Sequence, residues 1–447
     1  MPASTLAAVI AASRFGFAPK LGELAAIAGD PRSWVTAQLD HYPPTIPGNL
    51  PPAHETVALM LEARRDRKEK DQGAQKELQQ RIRATYLGEI DARMRAAILG
   101  DAQLRERLTQ FWSNHFTVSG QRPFVRGFTG AFEREAIRPH VTGRFADMLL
   151  AVASHPTMLL YLDNAQSIGP NSRVGERRDK GLNENLGREL LELHTLGVDG
   201  GYTQADVEAL ARILTGWSIG QLRDPQPGAF LFRPNIHEPG SKTLLGRVYR
   251  ENGVEEGVAA LRDLAVHPAT ARHVATQLAR HFIADTPPVD SVERIAKVFR
   301  DTSGDLRQVT LAVVREDAAW REPFGKVRTP TELVIAAYRV MGTVPEPAQA
   351  FQMLKNLDQP PFFAPSPAGW PDVAAQWISP ETVIRRTEWC QVFSQRVPEE
   401  PDPLAAMTTA FGEGDVLPEE VQQAVRRAPS RRAGLALLVA SPQFQRR

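Results

Sequence analysis

Three stretches of this chain set residues of catalytic type inside apolar surroundings. "FWSNHF" places Asn114 and His115 among Phe111, Trp112 and Phe116. "NENLGRELLELHTLGVDGGYT", residues 183–203, carries Glu184, Asn185, Glu189, Glu192 and His194. "HEPGSKTLLG" offers His237, Glu238, Lys242 and Thr243 on a turn. Carboxylates and imidazoles facing each other between helices are how helical proteins hold metals or move protons. The chemistry this suggests is metal-assisted hydrolysis, with a divalent metal as the candidate cofactor. His115, His194 and His237 are the candidate ligands, and Glu184, Glu189, Glu192 and Lys242 the candidate catalytic groups. Asn114 and Asn185 join the three histidines as candidate binding residues. A single site requires the three stretches to converge on one pocket.

His194 is the least ordinary of these. On a helix turning about 100° per residue, Leu186, Leu190 and Leu193 share one face. Glu184, Asn185, Arg188, Glu189 and Glu192 share the other. His194 falls within the apolar arc. Two readings stay open: a core histidine hydrogen-bonded to a backbone carbonyl, or a ligand or base between helices. The carboxylates also have a plain reading, as i,i+4 ion pairs with Arg188 on a solvated face. No Glu-x-x-His pair is present, and His237–Glu238 is followed by Pro-Gly rather than a helical HExxH. The Pro-Gly-Ser-Lys run lacks the first glycine of a phosphate loop. No GxGxxG or paired CxxC occurs.

The elements that must position these residues are mostly helical. "DAQLRERLTQFWSNHFTVSG" begins at a capping Asp101 and buries Leu104, Leu108, Phe111 and Trp112. Gly197 ends the 183–194 helix, and Thr203 with Asp206 opens the next, which buries Val207, Leu210, Leu214 and Trp217. Gly187, inside the first of these helices, costs about 1 kcal/mol against alanine and implies a close approach, by a helix or a ligand. His155 and His267 each precede a proline and read as caps. Pro-rich breaks interrupt the helices at 42–53, in "QPPFFAPSPAGWPD" and in "RVPEEPDP". The expected fold is mainly α, a large irregular multi-helix assembly with a small β-hairpin near 228–250. It forms one integrated domain over 1–447, with 345–447 as a candidate C-terminal subdomain.

Composition narrows the function classes. The chain has 447 residues, 42% hydrophobic and 23% charged, which suffices for a sizeable core. A formal net charge of +1 gives no bulk attraction for nucleic acid or an anionic membrane. Cys390 is the single cysteine, so no intrachain disulfide forms. The opening "MPASTLAAVIAASRFGFAPKLGE" lacks a basic n-region and leads into a helix, so no signal peptide is expected. Cytoplasmic location is the default, and a periplasmic one follows if a partner carries the chain out. No run of about 18 apolar residues exists, so no membrane span is expected.

The longer motifs carry a resemblance. "LRERLTQFWSNHFTVS", "HPTMLLYLDN", "NENLGRELLELHTLGVDGGYTQADVEALARILTGW" and "HEPGSKTLLG" resemble the bacterial domain-of-unknown-function family numbered 1800. "KVRTPTELVIAAYRVMG", "GWPDVAAQWISPETVIRR" and "LLVASPQFQRR" continue the pattern in order, over nearly the whole chain. Position 187 departs from it, with glycine where the pattern usually has alanine. The resemblance implies no reaction. It implies a partner, because members are usually encoded beside a family numbered 1501, which resembles alkaline phosphatases and sulfatases and often bears a twin-arginine export signal. The expected function is therefore a helical accessory or binding protein acting with such a partner, and the metal-dependent hydrolase is the alternative. The family's strongest motifs fall here on Asn114, His115, Glu184, Asn185, Glu189, Glu192, His194, His237 and Lys242.

Overall fold

The computed structural model describes residues 3–40, 46, 49–68, 72–177, 181–397, 402–414 and 416–447. The Pro-rich breaks expected at 42–53 and 396–403 lie partly outside them. Helix makes up 61% of the chain, and the described residues hold two small antiparallel two-stranded sheets. One hydrophobic core cluster runs from Ala8 to Phe444. No helix among the described residues is long and apolar enough to cross a membrane.

Gln103–His115 is buried along most of its length. Its apolar side seats Leu104, Leu108 and Trp112 in the core, each at most 1% exposed. The opposite side is buried too. Gln103, Arg105, Glu106 and Arg107 are enclosed by other helices and satisfied there. Glu106 pairs with Arg138, and Arg105 reaches the Leu39 carbonyl and the Thr142 hydroxyl. Asp101 does not cap this helix. The cap position is Ala102, and Asp101 pairs with Lys20 instead.

Other local signals produce the expected elements. Thr203 and Asp206 form a reciprocal capping box at the start of Gln204–Ile213. His155 and His267 are caps, their Nδ1 atoms accepting from the amides of Thr157 and Ala269 at 3.2 Å each. Gly187 packs against a helix: a Cβ there would lie 3.0 Å from the Ala211 nitrogen and 3.1 Å from the Val207 oxygen.

The β excursion is split in two. Lys242–Leu244 pairs with Arg247–Tyr249 through Leu245 and Gly246, both at positive φ. Two left-handed residues suit the tight hairpin turn whose twist matches the strands. Phe230–Phe232 does not pair forward with these strands. It pairs back with Trp217–Ile219, the segment that ends the preceding helical pattern.

Three short stretches, Ala11–Phe15, Glu133–Ile137 and Leu190–His194, wind as π-helix. A π turn adds a residue to the turn and releases carbonyls from the ordinary i,i+4 ladder. The one at Leu190–His194 shapes the candidate site.

Candidate functional site

Helix Asn185–Glu189 passes directly into the π turn Leu190–His194, which closes on Thr195 and Gly197. The Thr195 hydroxyl donates to the Leu190 carbonyl at 2.6 Å, and the Gly197 amide to that of Leu191 at 3.2 Å. The carbonyls of Leu193 and His194 take imidazoles from two other helices. His273 Nε2 lies 3.0 Å from the Leu193 oxygen, and His115 Nε2 lies 3.2 Å from the His194 oxygen. A carbonyl only accepts, so both imidazoles carry their proton on Nε2.

His194 itself is 1% exposed, and neither ring nitrogen has a hydrogen-bond partner. Its ring meets Phe116 at 5.1 Å and His115 at 6.2 Å between centroids. The expected backbone partner for its side chain is absent; its main chain does the bonding. Burial, then the neighbouring His273, pushes the His194 pKa down to about 3. Burial also lowers His115, with His273 and His194 adding to the effect, and lowers His273. All three are neutral at pH 7.

Beside this cluster is a cavity of about 390 Å³. Arg107, Gln110, Phe111 and Asn114 line it from one face of Gln103–His115. His273, Gln277, Arg280 and His281 line it from one face of Pro268–Phe282. Thr329, Thr331 and Glu332 close one side at the start of Pro330–Met341, and the 359–373 segment forms the outer wall. Asn114 holds that wall: its Nδ2 donates to the Trp370 carbonyl at 2.9 Å, and its Oδ1 accepts from the Trp370 amide at 2.7 Å. Both ends of the Asn114 amide are thereby occupied by backbone.

The wall is charged and tightly bonded. Glu332 pairs with Arg107 and lies 3.1 Å from Arg447 Nε. His281 Nδ1 donates to Asp372 at 2.6 Å, and its Nε2 lies 3.4 Å from Arg107 Nη1. Lys326 reaches Asp285 at 2.6 Å and Asp372 at 3.1 Å. Burial brings the His281 pKa down to about 4, against the pull of Asp372. Burial acts to raise the Asp372 carboxyl, but His281, Lys326 and Arg447 together bring it down to about 2. Glu332 is likewise held far below the carboxylate range, since Arg447 and Arg107 overcome its burial.

The other sequence candidates lie elsewhere. His237 is not among the cavity residues. Its Nδ1 is 2.8 Å from the Thr215 carbonyl and its Nε2 is 3.1 Å from Glu256. Lys242 binds the Glu238 carbonyl at 2.6 Å and Glu256 at 3.0 Å. These bonds tie the 237–242 turn to helix Val254–Ala265. Glu184 accepts from Arg188 and Gln204 at 2.8 and 2.9 Å on a partly exposed face. Glu189 is raised by burial and by Glu192. Asn185 donates its amide to the Asn183 side chain at 2.9 Å.

His115 and His194 are therefore neighbours, and His237 is engaged in a separate knot. His115 has given Nε2 to a carbonyl, and His237 has both nitrogens bonded. Among the described residues, no group of three or more His, Cys, Asp or Glu is arranged to hold a metal ion. The donors thus do not fit the expected divalent metal.

The fold and site together define a large helical protein with a partly open cavity walled by arginine, imidazole and aromatic groups. The chain belongs to the family described as protein of unknown function (DUF1800), whose sequence model matches residues 10–446. No curated protein and no solved structure matches it.

Proposed function

We propose that this protein is a helical binding protein that acts as an accessory to a phosphatase- or sulfatase-like partner of the family numbered 1501. The observation that carries the binding role is the cavity between Gln103–His115 and Pro268–Phe282. Its volume falls within the roughly 300–1,000 Å³ of small-molecule clefts. Its polar groups favour holding over reacting. The Thr329 hydroxyl serves as a helix cap. The imidazole–carboxylate pair at the cavity, His281–Asp372, presents Nε2 to Arg107 rather than to a hydroxyl nucleophile. A metal-dependent hydrolase draws no support from His115, His194 and His237, which share no donor geometry. The partner enters from the family resemblance.

Co-expression with the neighbouring phosphatase-like protein, followed by pull-down on a tag carried by the partner, tests the accessory role. Recovery of both chains is the expected result. Clean separation at micromolar concentration overturns it.

A further inference from the structure

The cavity wall and the groups behind it carry more positive than negative charge. Arg107, Arg280, Lys326 and Arg447 gather at or just behind its wall, and three carboxylates answer them. Glu332 takes Arg107 and Arg447; Asp372 lies 3.1 Å from Lys326 and 4.0 Å from Arg447; Asp285 lies 2.6 Å from Lys326. Arg93, also on the wall, lies 3.4 Å from Glu133. Arg280 has no carboxylate partner among the described residues. Its Nε makes one long contact, 3.4 Å, with the Asp285 carbonyl. On the opposite wall Gln110 buries its amide nitrogen with no hydrogen-bond partner. The imidazoles of His115, His273 and His281 are neutral and add no charge. On the lining itself this leaves the Arg280 guanidinium without a carboxylate and the Gln110 amide without an acceptor, in a space also lined by Phe111, Phe362 and Trp370.

We propose that this cavity takes a small organic oxyanion: a carboxylate, sulfate ester or phosphate ester on an apolar body. Arg280 and Gln110 meet the charged end, and Phe111, Phe362 and Trp370 lie against the body. The inference rests on the reading of the cavity as a binding site. A guanidinium presents a planar fork of donors matched to oxyanion geometry. An anion offsets the surplus positive charge, whereas a cation adds to it. A neutral ligand leaves Arg280 desolvated without compensation.

Calorimetric titration and thermal shift of the full chain test this. The anionic probes are benzoate, phenyl sulfate and phenyl phosphate. Benzyl alcohol and benzylamine are the neutral and cationic counterparts, and inorganic sulfate and phosphate are the charged ends alone. At least one aromatic oxyanion is expected to bind about tenfold or more tightly than benzyl alcohol, and benzylamine not at all. Arg280→Gln should lose at least about tenfold in anion affinity. Arg280→Lys should keep part of it, and unliganded Arg280→Gln should melt like the wild type because no ion pair is broken. Equal binding of benzyl alcohol or benzylamine, or full anion affinity in Arg280→Gln, overturns the anion assignment and leaves the cavity reading standing. Inorganic ions binding as tightly as their phenyl esters overturn the apolar half of the assignment. No binding by any probe overturns both readings.

Discussion

Arg107 and Glu332, 225 residues apart in the chain, form an ion pair whose side chains are 1% and 6% exposed. Arg447 joins the same carboxylate, so one buried anion holds two buried cations. Removing the anion alone leaves charge in the interior without compensation, which costs more than the pair contributes.

Glu332→Gln is accordingly expected to destabilise the protein by about 3–5 kcal/mol. Because the carboxyl is held far below its ordinary range, its contribution is complete above the unfolded carboxylate pKa and is lost as pH falls toward the folded value. Urea denaturation at pH 7 measures the loss. An unchanged midpoint would show that this pair does not hold the cavity wall.

His194 gives the opposite kind of prediction. Its folded pKa of about 3 lies below the ordinary 6.5, so the unfolded chain takes up the proton first. Stability therefore falls as pH drops from about 6.5 toward 3, by up to about 1.4 kcal/mol per pH unit from this residue. His194→Leu removes that dependence. It also removes two buried nitrogens without partners, so near pH 7.5 the variant should be neutral or about 1 kcal/mol more stable. Urea midpoints at pH 7.5, 5.5 and 4.5 should diverge in favour of the variant as pH falls. Parallel curves for the two proteins would contradict the buried, unpartnered imidazole.

His237 closes a hydrogen-bond network around Glu256, whose side chain is 0% exposed. His237→Ala is expected to cost about 1–3 kcal/mol by taking the imidazole from the Thr215 carbonyl and leaving Glu256 with Lys242 alone. A chelator should leave the melting temperature of the wild type unchanged. Thermal melts with and without chelator decide the matter, and a chelator-induced drop would revive His237 as a ligand.

The helical architecture was legible because local patterns carried it. Leu104, Leu108 and Trp112 repeat at helical spacing, and Thr203 with Asp206 marks a helix start without reference to anything distant. Trp217–Ile219 was not legible as a strand: its apolar run continues the helical period, and only pairing with Phe230–Phe232 decides its conformation. At the site, Asn114, His115 and His194 stood out as polar residues in apolar settings. His273, His281, Arg280, Glu332 and Asp372 did not. Arg107 looks like one charge on a solvated face, because periodicity marks the apolar side of a helix and says nothing of what covers the other. "QPPFFAPSPAGWPD" read only as a break, since its role as a wall comes from Asn114 gripping the Trp370 backbone from 256 residues away. The sequence register also placed His194 by an ordinary 3.6-residue turn, while the π turn changes what its carbonyl can reach.

The fastening of Trp370 to Asn114 bears on the order in which the molecule acquires its shape. Contacts that span hundreds of residues close slowly, because the loop entropy is spent before the contact rewards it. Neighbouring helices such as Asn185–Glu189 and Gln204–Ile213 can dock early, over short separations. The 359–373 wall has shorter-range anchors, Thr331 on Gln359 and Lys326 on Asp372, but its bond to Gln103–His115 spans 256 residues. In refolding from urea, the backbone helix signal should therefore recover before the tryptophan environment at position 370, and the cavity should be the last part of the protein to come into being.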